Sequence, residues 1–310
     1  MRYAFFNKKL VPFSEAKVSI MTHALNYGTA CFDGIRGIWS SEERQIYLFR
    51  LKDHYERLKK NCRIIKIDLP YSVEELSQLT VELVQMHSYE EDIYVRPLAY
   101  KSSEVVGVRL HNLEDNFCIF VTPFGPYLDI EKGARCCVSS WRRVDDTMIP
   151  PRAKITGLYV NSALAKTEAW ENGFDEAILL SQDGHVAEGT GENIFLVIGG
   201  KLVTPPSSDN ILMGITRDTV IKLAKNESGI ETIERQIDRS ELYLAEECFL
   251  TGTAAHVTPV IEIDHRQIGD GKVGKITRKL QQLYFDVVQG KVAKYLNWCT
   301  PIYRKNLVEA

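Results

Sequence analysis

Apolar and polar positions alternate in short runs along most of this chain, interrupted by a few stretches with helical spacing. Tyr3 to Phe13 predicts a short hairpin turning at Asn7-Lys8-Lys9. Ile46-Tyr47-Leu48-Phe49 is a strand-like run that ends on Arg50. Ile93 to Tyr100 alternates and places Tyr94, Arg96 and Leu98 on one face. Further apolar strands are expected over 116–124, 134–141, 177–180, 194–198 and 247–250. Asp183-Gly184 reads as a hairpin turn between two of them. Helical spacing runs from Asp53 to Ile64, with Tyr55, Leu58 and Cys62 near one face. A second helix spans Val73 to Met86, capped by Ser72 with Glu75 at the capping-box position. Tyr159 to Glu171 ends on Asn172-Gly173, a C-cap pair. Two more helices are expected over 216–225 and 274–289. The mixture predicts an α/β chain of the α+β type with two domains.

Length and composition narrow this further. The 310 residues, 45% hydrophobic and 25% charged, suffice for one large or two medium domains. Pro123, Gly125, Pro126 and Gly133 punctuate a stretch that reads as a linker. The expected division is therefore residues 1–124, a linker at 125–133, and 134–310. A net charge of -3 speaks against nucleic acid as a partner. No apolar run reaches the roughly 18 residues of a membrane span. The first residues lack the form of a signal peptide. The 7 cysteines include the neighbours Cys136-Cys137 and no CxxC pair, which suggests reduced thiols in a cytoplasmic protein. The scattered histidines predict no metal site.

Candidate chemistry gathers around Gly184-His185-Val186-Ala187-Glu188-Gly189-Thr190-Gly191-Glu192-Asn193. Glycines at 189 and 191 let the chain take positive φ or let a group approach the backbone. Glu188 is then an aimed carboxylate, or this is a solvated bulge in a hairpin. Between Met21 and Gly37, Tyr27 and Phe32 either line a cavity or belong to the core. Gly214-Ile215-Thr216 places a glycine at a helix start, where free N–H groups attract anions. Thr251-Gly252-Thr253 ends a strand in hydroxyls and a glycine, a possible anion nest. Each of these is also an ordinary cap or turn. Lys154 follows the stiff pair Pro150-Pro151. A phosphate site, a Schiff-base lysine and a carboxylate for a ring nitrogen together describe pyridoxal 5'-phosphate as cofactor.

Several segments in this order resemble the branched-chain-amino-acid aminotransferases of the fold-type IV pyridoxal-phosphate enzymes (class IV). They are His23 to Thr29, Phe32-Asp33-Gly34-Ile35-Arg36, Tyr94-Val95-Arg96-Pro97, Ser139-Ser140-Trp141, Glu188-Gly189-Thr190-Gly191-Glu192-Asn193, Gly214 to Asp218, and Thr251 to Ala255. The resemblance covers nearly the whole length. It implies a small N-terminal α/β domain and a larger C-terminal domain with a barrel-like β core, the cofactor between them. Lys154 would form the imine and shuttle the proton. Glu188 would pair with the pyridine nitrogen, and Tyr159 would bond the ring hydroxyl. Arg50, Ile215, Thr216 and Thr253 would hold the phosphate. Phe32, Gly34, Tyr94, Arg96, Trp141, Thr253 and Ala254 would surround the substrate, with Tyr27 of the partner subunit reaching in. The resemblance implies a homodimer at minimum, transferring amino groups between branched-chain L-amino acids and 2-oxoglutarate.

Two departures bear on substrate range. Asp33 stands where the family usually has glutamate. The loop from Leu98 to Leu110 is more polar than expected, and Arg109 in it is a candidate second carboxylate anchor or a plain surface arginine. The alternatives are a transaminase of mixed range that also accepts (R)-primary amines or D-amino acids, and an aminodeoxychorismate lyase.

Overall fold

The alternation along the chain becomes two β-sheets in the computed structural model, which describes residues 2–125 and 127–303. They belong to two separate units. In the first, all pairings of an eight-stranded sheet are antiparallel. The expected hairpin forms from Tyr3–Phe6 and Lys9–Pro12, with Asn7 and Lys8 both at positive φ, 48° and 63°. That is the geometry of a two-residue turn whose twist matches its strands. Ile93–Lys101 lies inside the sheet and buries alternate residues, leaving Tyr94, Arg96 and Leu98 half-buried on the other face.

Two helices cover this unit. Leu51–Ile64 starts two residues ahead of Asp53, because Arg50 takes left-handed backbone (φ 49°) and serves as its N-cap. It buries Leu51, His54, Tyr55, Leu58 and Cys62, a stripe at helical spacing. Val73–Gln85 carries the expected capping box: the Glu75 N–H donates to Ser72 Oγ (3.1 Å) and the Ser72 N–H to Glu75 Oε2 (2.7 Å).

The second unit contains a nine-stranded mixed sheet curled into a half-barrel. Ala134–Arg142 runs parallel to both Glu176–Leu180 and His256–Ile263. Glu247–Gly252 and Asn193–Ile198 follow in antiparallel register. The inner face packs Ile178, Val186, Ile194, Leu196 and Leu250 into one apolar cluster. Tyr159–Glu171 and Ile215–Ser228 are the helices that carry residues of interest. Among the described residues no helix is long and apolar enough to cross a membrane.

The packing departs from the expected division at 134–310. Residues 286–303 group with the first unit, as do Ile155–Gly157. Cys299–Pro301 extends the first sheet beside Gln45–Phe49, and the Arg50 N–H donates to the Trp298 carbonyl at 2.6 Å. A three-residue strand is too short to announce itself by alternation. The Gly157 N–H donates to the Gly28 carbonyl at 3.1 Å, and a Cβ on Gly28 (φ +65°) would lie 2.6 Å from Gly157 Cα. Only glycine permits that approach.

Asp33 is the charged centre of the first unit and is fully buried. It accepts from the Gly34 N–H (2.7 Å), His54 Nδ1 (2.8 Å) and Arg57 Nη2 (2.7 Å). Since a carboxylate only accepts, Nδ1 carries the imidazole proton. Burial works against the Asp33 charge, but Arg57 and His54 outweigh it and hold the carboxyl well below its usual range. Burial also pushes His54 down, toward the neutral ring. Both shifts lose stability on acidification. The depressed carboxyl contributes fully above its ordinary 3.8 and progressively less below it. Asp33→Ala is expected to cost about 3–5 kcal/mol by stranding Arg57. Urea unfolding checks this, and a midpoint within error of wild type would contradict it.

Candidate active site

The second unit assembles its chemistry on the edge of the curled sheet. The strand Glu176–Leu180 turns through Asp183-Gly184 into Val186–Gly189. The register then slips: Val186 faces Leu180 but Glu188 faces Leu179, leaving Ala187 as an extra residue. Such a bulge re-aims the next side chain. Glu188 is consequently buried, where a regular strand would alternate.

Three donors meet its carboxylate. Arg143 Nη2 lies 2.8 Å from Oε1, with both side chains about 5% exposed. Asn193 Nδ2 and the Leu212 N–H each donate to Oε2 at 3.1 Å. Asn193 also donates to the Leu212 carbonyl at 2.8 Å, which ties this turn to the segment before the helix Ile215–Ser228. A Cβ on Gly214 would come 2.1 Å from Asn193 Oδ1, so the glycine at the helix start is required by packing. Burial pushes the Glu188 carboxyl up, against the pull of Arg143, the Leu212 amide and the charge of Lys154. A carboxylate has about four acceptor positions. Three are used, and its raised proton affinity favours a further donor.

Lys154 Nζ donates to the Tyr159 hydroxyl and lies 5.1 Å from the centre of that ring. Tyr159 is the first residue of its helix, after a 3-10 turn over Thr156–Leu158. Pro150 starts the approach, its carbonyl accepting from the Ala153 N–H at 3.0 Å. Thr216 is buried in the first turn of Ile215–Ser228, where helix geometry leaves amides outside the intrahelical ladder. Thr253 and Ala254 sit in the turn after Glu247–Gly252, behind Thr251, whose buried Oγ1 lacks a hydrogen-bond partner among the described residues. Trp141 is exposed near the end of Ala134–Arg142.

The first unit holds the other predicted residues. Arg96 Nη2 donates to the Tyr94 hydroxyl at 3.0 Å, and its guanidinium lies 4.4 Å above the Phe32 ring. A Cβ on Gly34 would stand 1.9 Å from the Tyr94 hydroxyl. Phe32, Gly34, Tyr94 and Arg96 thus form one packed group, with Arg96 Nε buried and unpartnered among the described residues. Arg50 pairs with Asp53 and lies 5.2 Å from the Trp298 ring. Tyr27 accepts from the Gly107 N–H at 3.0 Å, and His23 Nε2 meets the Gly107 carbonyl at 2.9 Å. Together they clamp the loop that carries Arg109. Arg109 is exposed and makes no ion pair among the described residues.

Sequence reasoning missed Arg143. It follows Arg142 at a strand end, where paired arginines resemble a solvated edge. Alternation along Ala134–Arg142 was the available signal, since one of two neighbours there must turn inward.

Residues 30–263 match the family Amino-transferase class IV. The chain is 53% identical to a probable branched-chain-amino-acid aminotransferase of Aquifex aeolicus (strain VF5), over 98% of each chain. It is 47% identical to the crystal structure of the branched-chain aminotransferase from the thermophilic archaeon Thermoproteus uzoniensis with norvaline (TM-score 0.93, 97% of this chain, 99% of that one). The branched-chain amino acid aminotransferase from Thermobaculum terrenum, solved in its PLP-form, is 40% identical (TM-score 0.93, 98% of this chain, 99% of that one). The chain belongs to the class IV aminotransferases, a mixed α/β fold built on two sheets.

Arg143→Met leaves Glu188 as an uncompensated buried charge and is expected to cost about 3–5 kcal/mol. The check is the denaturation midpoint near neutral pH. A midpoint unchanged from wild type would contradict the ion pair's structural role.

Proposed function

We propose that this protein transfers amino groups between branched-chain L-amino acids and 2-oxoglutarate, with pyridoxal 5'-phosphate held on Lys154. One observation carries the reading: a buried Glu188, fixed by Arg143, Asn193 and Leu212, whose proton affinity is raised by burial and lowered by the charge of Lys154. The residues fit the cofactor. Glu188 offers an acceptor for a ring nitrogen, and Lys154 an amine for an aldehyde. Tyr159 offers a hydroxyl for the ring oxygen. Ile215, Thr216 and Thr253 offer amides and hydroxyls for a phosphate, and Arg50 a cation. The substrate class is supported by the relatives' names, in particular the Aquifex protein at 53% identity.

When bound, pyridoxal phosphate supplies an electrophilic carbon and a ring that accepts electrons. The side chains do the rest. Lys154 Nζ, once released, takes a proton from the substrate α-carbon and later returns one. Its hydrogen bond to Tyr159 fixes the position of the amine. Glu188 would keep a proton on the ring nitrogen, because a buried carboxylate with an acceptor position left lowers its energy by holding a further donor close. Arg143 holds that carboxylate still. Arg96 and Tyr94 would anchor the substrate carboxylate, with Phe32 and Gly34 packed beside them; Trp141 and Ala254 of the second unit are further candidates for substrate contact.

We also propose a homodimer. Val18, Ile20, Met21, Leu25, Val106 and Val108 are all exposed on two segments joined by the Thr22–Glu104 bridge and the His23 contact to Gly107. An apolar set of this kind is suited to a second copy. Tyr27, within that patch, would reach the other copy's site. The free cysteines support a cytoplasmic setting.

The test is a half-reaction followed by absorbance, with L-leucine, D-alanine and (R)-1-phenylethylamine offered separately. Conversion to the aminated cofactor with leucine alone is expected, and Lys154→Ala should abolish turnover while keeping the fold. Equal conversion with D-alanine or the amine would replace this reading with a transaminase of mixed range. Substantial transamination by Lys154→Ala would overturn it.

A further inference from the structure

The second unit holds two buried carboxyls that the proposed reaction leaves unused. Glu176 is fully buried at the start of Glu176–Leu180, and Glu192 is buried in the turn before Asn193–Ile198. Glu176 is engaged as an anion. Its Oε2 pairs with Lys166 Nζ at 2.7 Å, and its Oε1 accepts from Thr190 Oγ1 (2.7 Å) and the Ala177 N–H (2.8 Å). Glu192 Oε2 accepts from the Gly191 N–H at 3.1 Å. Its side chain is wedged between glycines: a Cβ on Gly189 would lie 2.8 Å from Oε2, and one on Gly252 3.3 Å from Cγ.

Two buried carboxyls thus stand with one ion pair, that of Lys166 with Glu176. The other ionisable groups whose charges act on them are Lys154, Tyr127, whose ring lies 5.3 Å from Lys166 Nζ, and the neighbours Cys136 and Cys137 on the adjacent strand. A second buried negative charge would lack a partner of its own, and such charges neutralise by taking a proton.

We propose that Glu176 and Glu192 share a single proton, resident on Glu192, and that neutral Glu192 is a positioning residue for the Glu188–Asn193 turn and for Gly252 beside it. Burial and then the Glu176 charge push Glu192 up to about 8, against the Gly191 amide and the charges of Lys166 and Lys154. The sign for stability follows from the raised value. The neutral carboxyl's contribution is complete below its ordinary 4.5 and is lost as pH rises to about 8.

Infrared difference spectroscopy on the cofactor-loaded protein near neutral pH tests this, together with melting temperature against pH. Wild type should show a carboxylic-acid C=O band that Glu192→Gln removes, and Glu192→Gln should flatten the fall in Tm between about pH 5 and about pH 8. Glu176→Gln, a second route if the first variant folds poorly, should also remove the band, because Lys166 then recruits Glu192 as its anion. A wild-type spectrum without the band, a band that survives in Glu192→Gln or Glu176→Gln, or an unchanged pH slope in Glu192→Gln would each overturn the shared proton. None of these readouts depends on which amino acid is transaminated.

Discussion

The buried ion pair between Glu188 and Arg143 is the interaction on which the second unit's site depends. A carboxylate with almost no exposure is costly unless it is paired and hydrogen-bonded. Arg143, Asn193 and the Leu212 amide meet that need and, in doing so, fix three separate segments of chain. The bulge at Ala187 makes it possible by turning Glu188 inward. Gly214 makes room for Asn193, so the start of the helix Ile215–Ser228 is set by the same network. A carboxylate that is aimed, immobile and still able to accept is what an electron-accepting ring with a basic nitrogen requires.

In the first unit, the limiting constraint is space. Tyr94, Arg96 and Phe32 pack so tightly that residue 34 must be glycine, and Asp33 beside it fixes the backbone through the Gly34 amide. A strand with strict alternation supplies Tyr94 and Arg96 on one face. A helix starting at Leu51 supplies His54 and Arg57, which hold Asp33 ionised. Asp33 stands where glutamate is usual for the resembled family. The aspartate carboxylate reaches both His54 and Arg57.

Much of this was legible in the chain. Strands and helices with regular spacing appeared within a few residues of their expected bounds, as at Val73–Gln85 with its capping box. Lys154 and Glu188 stood out because their residue types suggest a chemistry, and Tyr159 only through the family resemblance. What escaped was long-range. Arg143 and Glu176 are ordinary residues at strand ends until the fold buries them. Cys299–Pro301 is three residues long and gains meaning only by pairing with Gln45–Phe49. The short strands Ala30–Phe32 and Ile35–Ser40 lie in a glycine-rich stretch that carries no clear alternation. Exposure was equally invisible: Arg109 offered itself as an anchor by type alone, yet it lies in solvent without an ion pair among the described residues.

The central claim is that Glu188 exists to keep a proton on a bound ring nitrogen. The most direct measurement is the nitrogen-15 resonance of ring-labelled pyridoxal phosphate bound to wild type and to Glu188→Gln. The account predicts a protonated pyridine nitrogen in wild type across neutral pH and an unprotonated one in the variant. An unprotonated nitrogen in wild type, or no difference between the two, would contradict it.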